Sequence, residues 1–132
     1  MGTFATLEEA KEYFRNDRFA ANAGIQLDEL SEKTSTCSLV LMDDHKNAYG
    51  GVMGGAIFTL ADLAFAALAN QIHNPSVASQ VSINYLSATK GEKLFAKAKC
   101  LKDGKSTSVI QVDVIDDSGK YIACYMGNAF KL

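Results

Sequence analysis

Between Lys46 and Lys90 lie 43 residues with a single formally charged side chain, Asp62. That aspartate sits inside an apolar run, Val52 to Ala69, which holds six alanines and two glycines among its 18 residues. Eighteen apolar residues reach the lower bound for a membrane span. The composition argues against one. An Asp at a bilayer centre costs about 2.5–3.5 kcal/mol even on the mildest scale, and no aromatic and basic flank compensates for it. The mean hydropathy of the whole chain is only −0.01. The run therefore predicts a helix that is apolar on nearly every face and buried inside a soluble fold. Its small residues let neighbouring backbones approach closely.

The chain has 132 residues and one proline. That length predicts a single domain over 1–132, able to bury about two-thirds of the surface of the unfolded chain. Lys plus Arg number 13 and Asp plus Glu 15, giving a net charge of −2 and a pI of about 5.6. Such a balance carries no electrostatic footprint for nucleic acid or an anionic membrane. Cys37, Cys100 and Cys124 are too few and odd in number for a disulfide framework. Residues 1–18 are charged and punctuated rather than continuously apolar, unlike a secretory signal. The expectation is a reduced, cytoplasmic protein.

Around the apolar helix the chain is strand-like. Thr6-Leu-Glu-Glu9 is a capping box that opens a short amphipathic helix to about Arg15, followed by a turn. Residues 24–30 and 36–42 read as a hairpin. Gly50-Gly51 breaks the chain before the long helix, and Asn74-Pro75 stops it. Four strands then follow over roughly 77–88, 93–102, 106–116 and 120–130. Turn chemistry joins them at Lys90-Gly91, Asp103-Gly104 and Asp117-Ser118-Gly119. In the third of these, Ser108, Ile110, Val112 and Val114 share one face while Gln111 and Asp113 point the other way. That alternation predicts an antiparallel sheet with one buried face, covered by the single apolar helix.

Asp62 is the first candidate for chemistry. A carboxylate in an apolar helix is costly unless paired or used, and no Lys or Arg lies within 15 positions. The structural alternative is an Asp that caps a loop. Gly54-Gly55 is the second candidate: glycines at a helix start leave open N–H groups at its positive end, suited to an oxyanion. They also suit tight helix packing. Asn47, in the loop before them, can donate to a carbonyl or hold a water, but by itself reads first as an Asx turn. His45, between acidic and basic neighbours, is expected to be solvated, and His73 to face the C-terminal carbonyls of the long helix. The two histidines have no metal spacing, and no metal or cofactor is expected. The cysteines fall in strands and read as core. Lys90, Lys93, Lys97, Lys99, Lys102 and Lys105 gather around two hairpins as a solvated face, with contact to anionic phosphates as the functional alternative.

Gly54 and Asp62 are eight positions apart on one helix, so about 12 Å apart along its axis. An oxyanion donor and a base must each lie about 3 Å from the reacting centre. If the two cooperate, one must come from a second copy across a two-fold interface, which predicts a homo-oligomer with equivalent sites.

The segment His45-Lys-Asn47-Ala-Tyr-Gly50-Gly-Val-Met53-Gly54-Gly55, continuing to Leu60-Ala61-Asp62-Leu-Ala64, resembles the signature of the PaaI-like (phenylacetate-pathway type) hotdog thioesterases. Asn16-Asp17-Arg18-Phe19 with Gly24-Ile25, and the stretch from Val77 through Ser79 and Tyr85 to Leu86, are similar to the segments on either side. The resemblance implies an α+β hotdog fold: an antiparallel sheet wrapped around one long buried helix, plus a short N-terminal helix. It also implies dimers whose sheets join edge to edge, commonly paired into tetramers, and hydrolysis of acyl-CoA thioesters. Carried over by position, Asp62 would be nucleophile or general base. Gly54, from the other subunit, would polarise the carbonyl and Asn47 would orient water or substrate. Gly55, Met53 and Ser79 would line the substrate site, Ser79 as a polar helper. One position departs from the pattern. Met53 stands where the signature has histidine, and thioether is only a weak acceptor. That departure keeps open a non-catalytic acyl-CoA or acyl-carrier binding protein. A hydratase is a poor match, because no histidine stands at the helix start.

Overall fold

The computed structural model describes residues 2–132. Helix α1 (Leu7–Phe14) starts where the capping box placed it: the Glu9 N–H donates to Thr6 Oγ1 at 3.2 Å, and the Ala5 N–H to Glu9 Oε2 at 3.1 Å. A second short helix, α2 (Arg18–Ala23), occupies the segment expected to be only a turn. It ends on Gly24, whose φ of 92° suits a residue without Cβ. Strands β1 (Gln26–Leu30) and β2 (Thr34–Val40) form the expected hairpin. The apolar run is helix α3 (Gly54–Ile72). Then come β3 (Ser76–Tyr85), β4 (Lys93–Asp103), β5 (Thr107–Asp116) and β6 (Tyr121–Lys131).

The six strands form one antiparallel sheet in the order β1-β2-β4-β5-β6-β3. The turns at 103–104 and 117–119 make hairpins. The one at 90–91 does not: β3 pairs with β6, because the free side of β4 is taken by β2. Residues 86–92 instead cross the end of the sheet, held where the Leu86 N–H meets the Ile122 carbonyl and the Leu41 N–H meets that of Glu92. The crossing leaves β3 at an open edge, with Val77 and Tyr85 about half exposed.

The sheet curls around α3, which is a buried core helix rather than a span. Leu60, Ala61, Ala64, Ala67 and Leu68 are fully enclosed against Leu39, Leu94, Ile110, Val112, Val114 and Ile122. Ser108, Ile110, Val112 and Val114 all face this core, as their alternation required. Gln111 and Asp113 meet on the outer face, the Gln111 Nε2 donating to Asp113 Oδ1 at 3.1 Å. Alanine on α3 brings the backbones close enough for Ser35 Oγ to donate to the Ala64 carbonyl at 2.6 Å.

Candidate active site

The loop before α3 is a tight, cross-bonded turn. The Asn47 N–H donates to the Gly51 carbonyl at 2.7 Å, and the Met53 N–H to the His45 carbonyl at 2.8 Å. Asn47 Oδ1 accepts from the N–H groups of Tyr49 and Gly51 at 2.9 and 3.1 Å. Its side chain thus makes the Asx turn, and the residue also borders a cavity. Gly50, at φ +80°, turns the corner. His45 overturns its expectation. It is buried, not solvated, because its ring pins this loop to α2: Nδ1 accepts the Met42 N–H at 3.0 Å, and Nε2 meets the Ala23 carbonyl at 2.7 Å. His73 does meet the end of its own helix, through its backbone N–H on the Ala69 carbonyl at 3.0 Å, while its ring Nε2 reaches the Leu132 carbonyl, also at 3.0 Å.

Helix α3 opens on Met53 as N-cap, and no side chain caps it. Among the described residues nothing accepts from the N–H groups of Gly54 or Gly55. These are orphan donors at the positive end of a 19-residue helix. Tyr85 explains why position 54 is glycine. Its hydroxyl donates to the Gly54 carbonyl at 3.0 Å, and its ring would stand 3.2 Å from any Cβ there. Gly54, Asn47, Ile57 and Tyr85 border one cavity of about 400 Å³. Met53 and Gly55 do not line it, and the Met53 side chain is half exposed.

Asp62 lies in a different place. It borders a second cavity, of about 310 Å³, with Asp17, Phe19, Ala20, Phe58, Thr59 and Leu63. Its Oδ1 accepts the Tyr125 hydroxyl at 2.6 Å. Tyr125 is fully buried, and burial together with the Asp62 charge pushes its phenol far above the ordinary range. Asp17, at the start of α2, makes no capping bond. Partial burial and the Asp62 charge raise its carboxyl above the usual value. Thr59 is not a free donor to Asp62, because its hydroxyl is spent on the Gly55 carbonyl at 2.8 Å.

Within one chain the structure thus joins Asn47 to Gly54 but leaves Asp62 apart from both. Ser79 stands exposed at a bulge in β3, donating to the Asn128 carbonyl at 3.1 Å, and borders neither cavity. Sequence reasoning assigned no role to Tyr125, Tyr85 or Asp17. The inward position of Tyr125 in β6 follows from alternation, but its meeting with a residue 63 positions away does not.

The model of the thioesterase superfamily matches residues 49–123, more than half of the chain. The chain belongs to the thioesterase superfamily. Its relatives place it in the PaaI-like hotdog branch. The acyl-coenzyme A thioesterase PaaI of Escherichia coli is 27% identical over 126 residues, 95% of this chain and 90% of the relative. The structure of that protein superposes with a TM-score of 0.88 over 95% of this chain and 91% of the other. Human acyl-coenzyme A thioesterase 13 is 34% identical over 91 residues, 66% of this chain and 65% of the relative. A hypothetical thioesterase protein of Streptococcus pneumoniae, solved with coenzyme A, is 26% identical with a TM-score of 0.81, over 89% of this chain and 94% of that one. The antiparallel sheet around one long helix is accordingly the hotdog fold.

Proposed function

We propose that this superfamily member hydrolyses acyl-CoA thioesters to free acid and CoA, in a site built by two subunits. The observation that carries the reading is the lone carboxylate of α3, placed in a cavity some turns along from two unused N–H donors at the start of the same helix. Asp62 takes a proton from water as the water oxygen attacks the thioester carbon. The Gly54 N–H of the other subunit receives the charge that develops on the carbonyl oxygen. The carbon–sulfur bond then breaks, and the proton passes to the departing sulfur. Asn47 orients substrate through its amide. Gly55, Met53 and, from the open strand edge, Ser79 border the acyl-CoA. The exposed β3 edge supports pairing with a second copy and from there a dimer or dimer of dimers. Free, strand-borne cysteines fit a reduced cytoplasm, with the Cys37 thiol pushed up by burial.

Met53 favours one other reading, a non-catalytic acyl-CoA or acyl-carrier binding protein, since a binder needs the cavity and N–H groups but no donor at position 53. Release of free thiol from a panel of acyl-CoAs separates the two. Turnover that disappears in Asp62→Asn supports hydrolysis; binding without turnover across the panel supports the binder. Light scattering tests the assembly, and an active monomer would overturn the shared site.

A further inference from the structure

Among the described residues Tyr125 is the one whose side chain hydrogen-bonds Asp62, and it comes from the core. Its ring is gripped by Phe58 and Phe65, each with its centroid 5.5 Å away. These lie about one helical turn before and after Asp62, so the two rings fix the phenol over the carboxylate. Phe65 can pack there because Gly127, two residues beyond Tyr125, has no side chain: a Cβ would fall 2.6 Å from the Phe65 ring. The phenol stays protonated and serves as a constant donor.

We propose that Tyr125 is a positioning residue: by holding Asp62 Oδ1 it aims Oδ2 into the cavity toward the reacting water. This inference rests on the reading of Asp62 as the base of hydrolysis. The other residues bordering this cavity, Asp17, Phe19, Ala20, Phe58, Thr59 and Leu63, give Asp62 no hydrogen bond, so among the described residues the Tyr125 hydroxyl alone orients the carboxylate.

Tyr125→Phe removes one oxygen and keeps the ring between its neighbours. With acyl-CoA as substrate, kcat is expected to fall roughly 10- to 100-fold, the worth of a hydrogen bond to a charged group, with KM little changed. In the Asp62→Asn background, Tyr125→Phe should have no further effect on kcat. If Asp62→Asn is inactive while Tyr125→Phe matches the natural chain in kcat and KM, the positioning role is overturned and the hydrolysis reading stands. If Asp62→Asn keeps full turnover, the hydrolysis reading falls. An equal loss from Tyr125→Phe with and without Asp62 would make Tyr125 a packing residue only.

Discussion

The two ends of α3 obey opposite rules. At the C-terminal end every buried side-chain amide is used. Asn70 Oδ1 accepts from the Ser76 N–H at 2.9 Å and from Asn74 at 3.1 Å, while its Nδ2 donates to the Ala66 carbonyl at 2.9 Å. Gln71 clasps the backbone of Phe4, accepting at 2.8 Å and donating at 3.2 Å. At the N-terminal end Gly54 and Gly55 keep donors that nothing among the described residues accepts from, and at mid-helix Asp62 borders a cavity with one hydrogen bond, from Tyr125. The first arrangement ties the N-terminal segment and the start of β3 to the core. The second leaves polar capacity unspent, a cost the fold tolerates where a ligand will meet it. One helix thus serves as an anchor at one end and, on the function proposed above, as a binding edge at the other.

The largest effect expected is from Asp62→Asn, a loss of at least about 10²-fold in kcat without loss of fold, since a positioned base is worth that much. Steady-state kinetics alongside circular dichroism check it. Near-natural activity would dissolve the contrast between the two ends.

Gly54→Ala tests the open donors. Its methyl would press on the Tyr85 ring, tilt the helix start and misplace the N–H, costing on the order of 10²-fold in kcat. Subunit exchange between this variant and Asp62→Asn should restore some intact sites and a fraction of the activity.

Asn70→Ala tests the anchor. Stripping partners from the Ser76 N–H and the Ala66 carbonyl should cost about 1–3 kcal/mol of stability, read as a drop in Tm of several degrees. Activity per folded molecule should stay unchanged; a selective loss of kcat would mean that this end also serves the site.

Met53→His should raise kcat roughly 5- to 150-fold with little change in KM, the gain of one hydrogen bond that strengthens as charge develops. A fall would make methionine a working part of the pocket.

The smallest effect concerns Asp17 and pH. Its carboxyl is raised above 3.8, so between that value and the raised one the folded state holds more protons than the unfolded. Stability from this group is present at low pH and fades as pH rises through that window. Asp17→Asn should therefore be slightly more stable than the natural chain at neutral pH and lose that part of the pH dependence, as denaturant titrations at several pH values would show.

Much of this molecule was decided by local pattern. The capping box at Thr6, the apolar run with its single charge, the alternation in β5 and two of the three turn sequences each depend on neighbours within a few residues. Those interactions are short in range, so their periodicity and turn chemistry can be read along the chain. The spacing from Asn47 through Gly54 to Asp62 carried the resemblance for the same reason, being one loop and one helix. Tertiary structure decided the rest. Whether the turn at 90–91 closes a hairpin depended on β2 occupying the side of β4, which residues 90–91 do not encode. The charged chain neighbours of His45 point it to water, yet its partners are the Ala23 carbonyl and the Met42 N–H. Tyr125 and Asp17 converge on Asp62 from β6 and α2 only because the sheet curls around the helix, and contacts so distant along the chain leave no periodic trace in it.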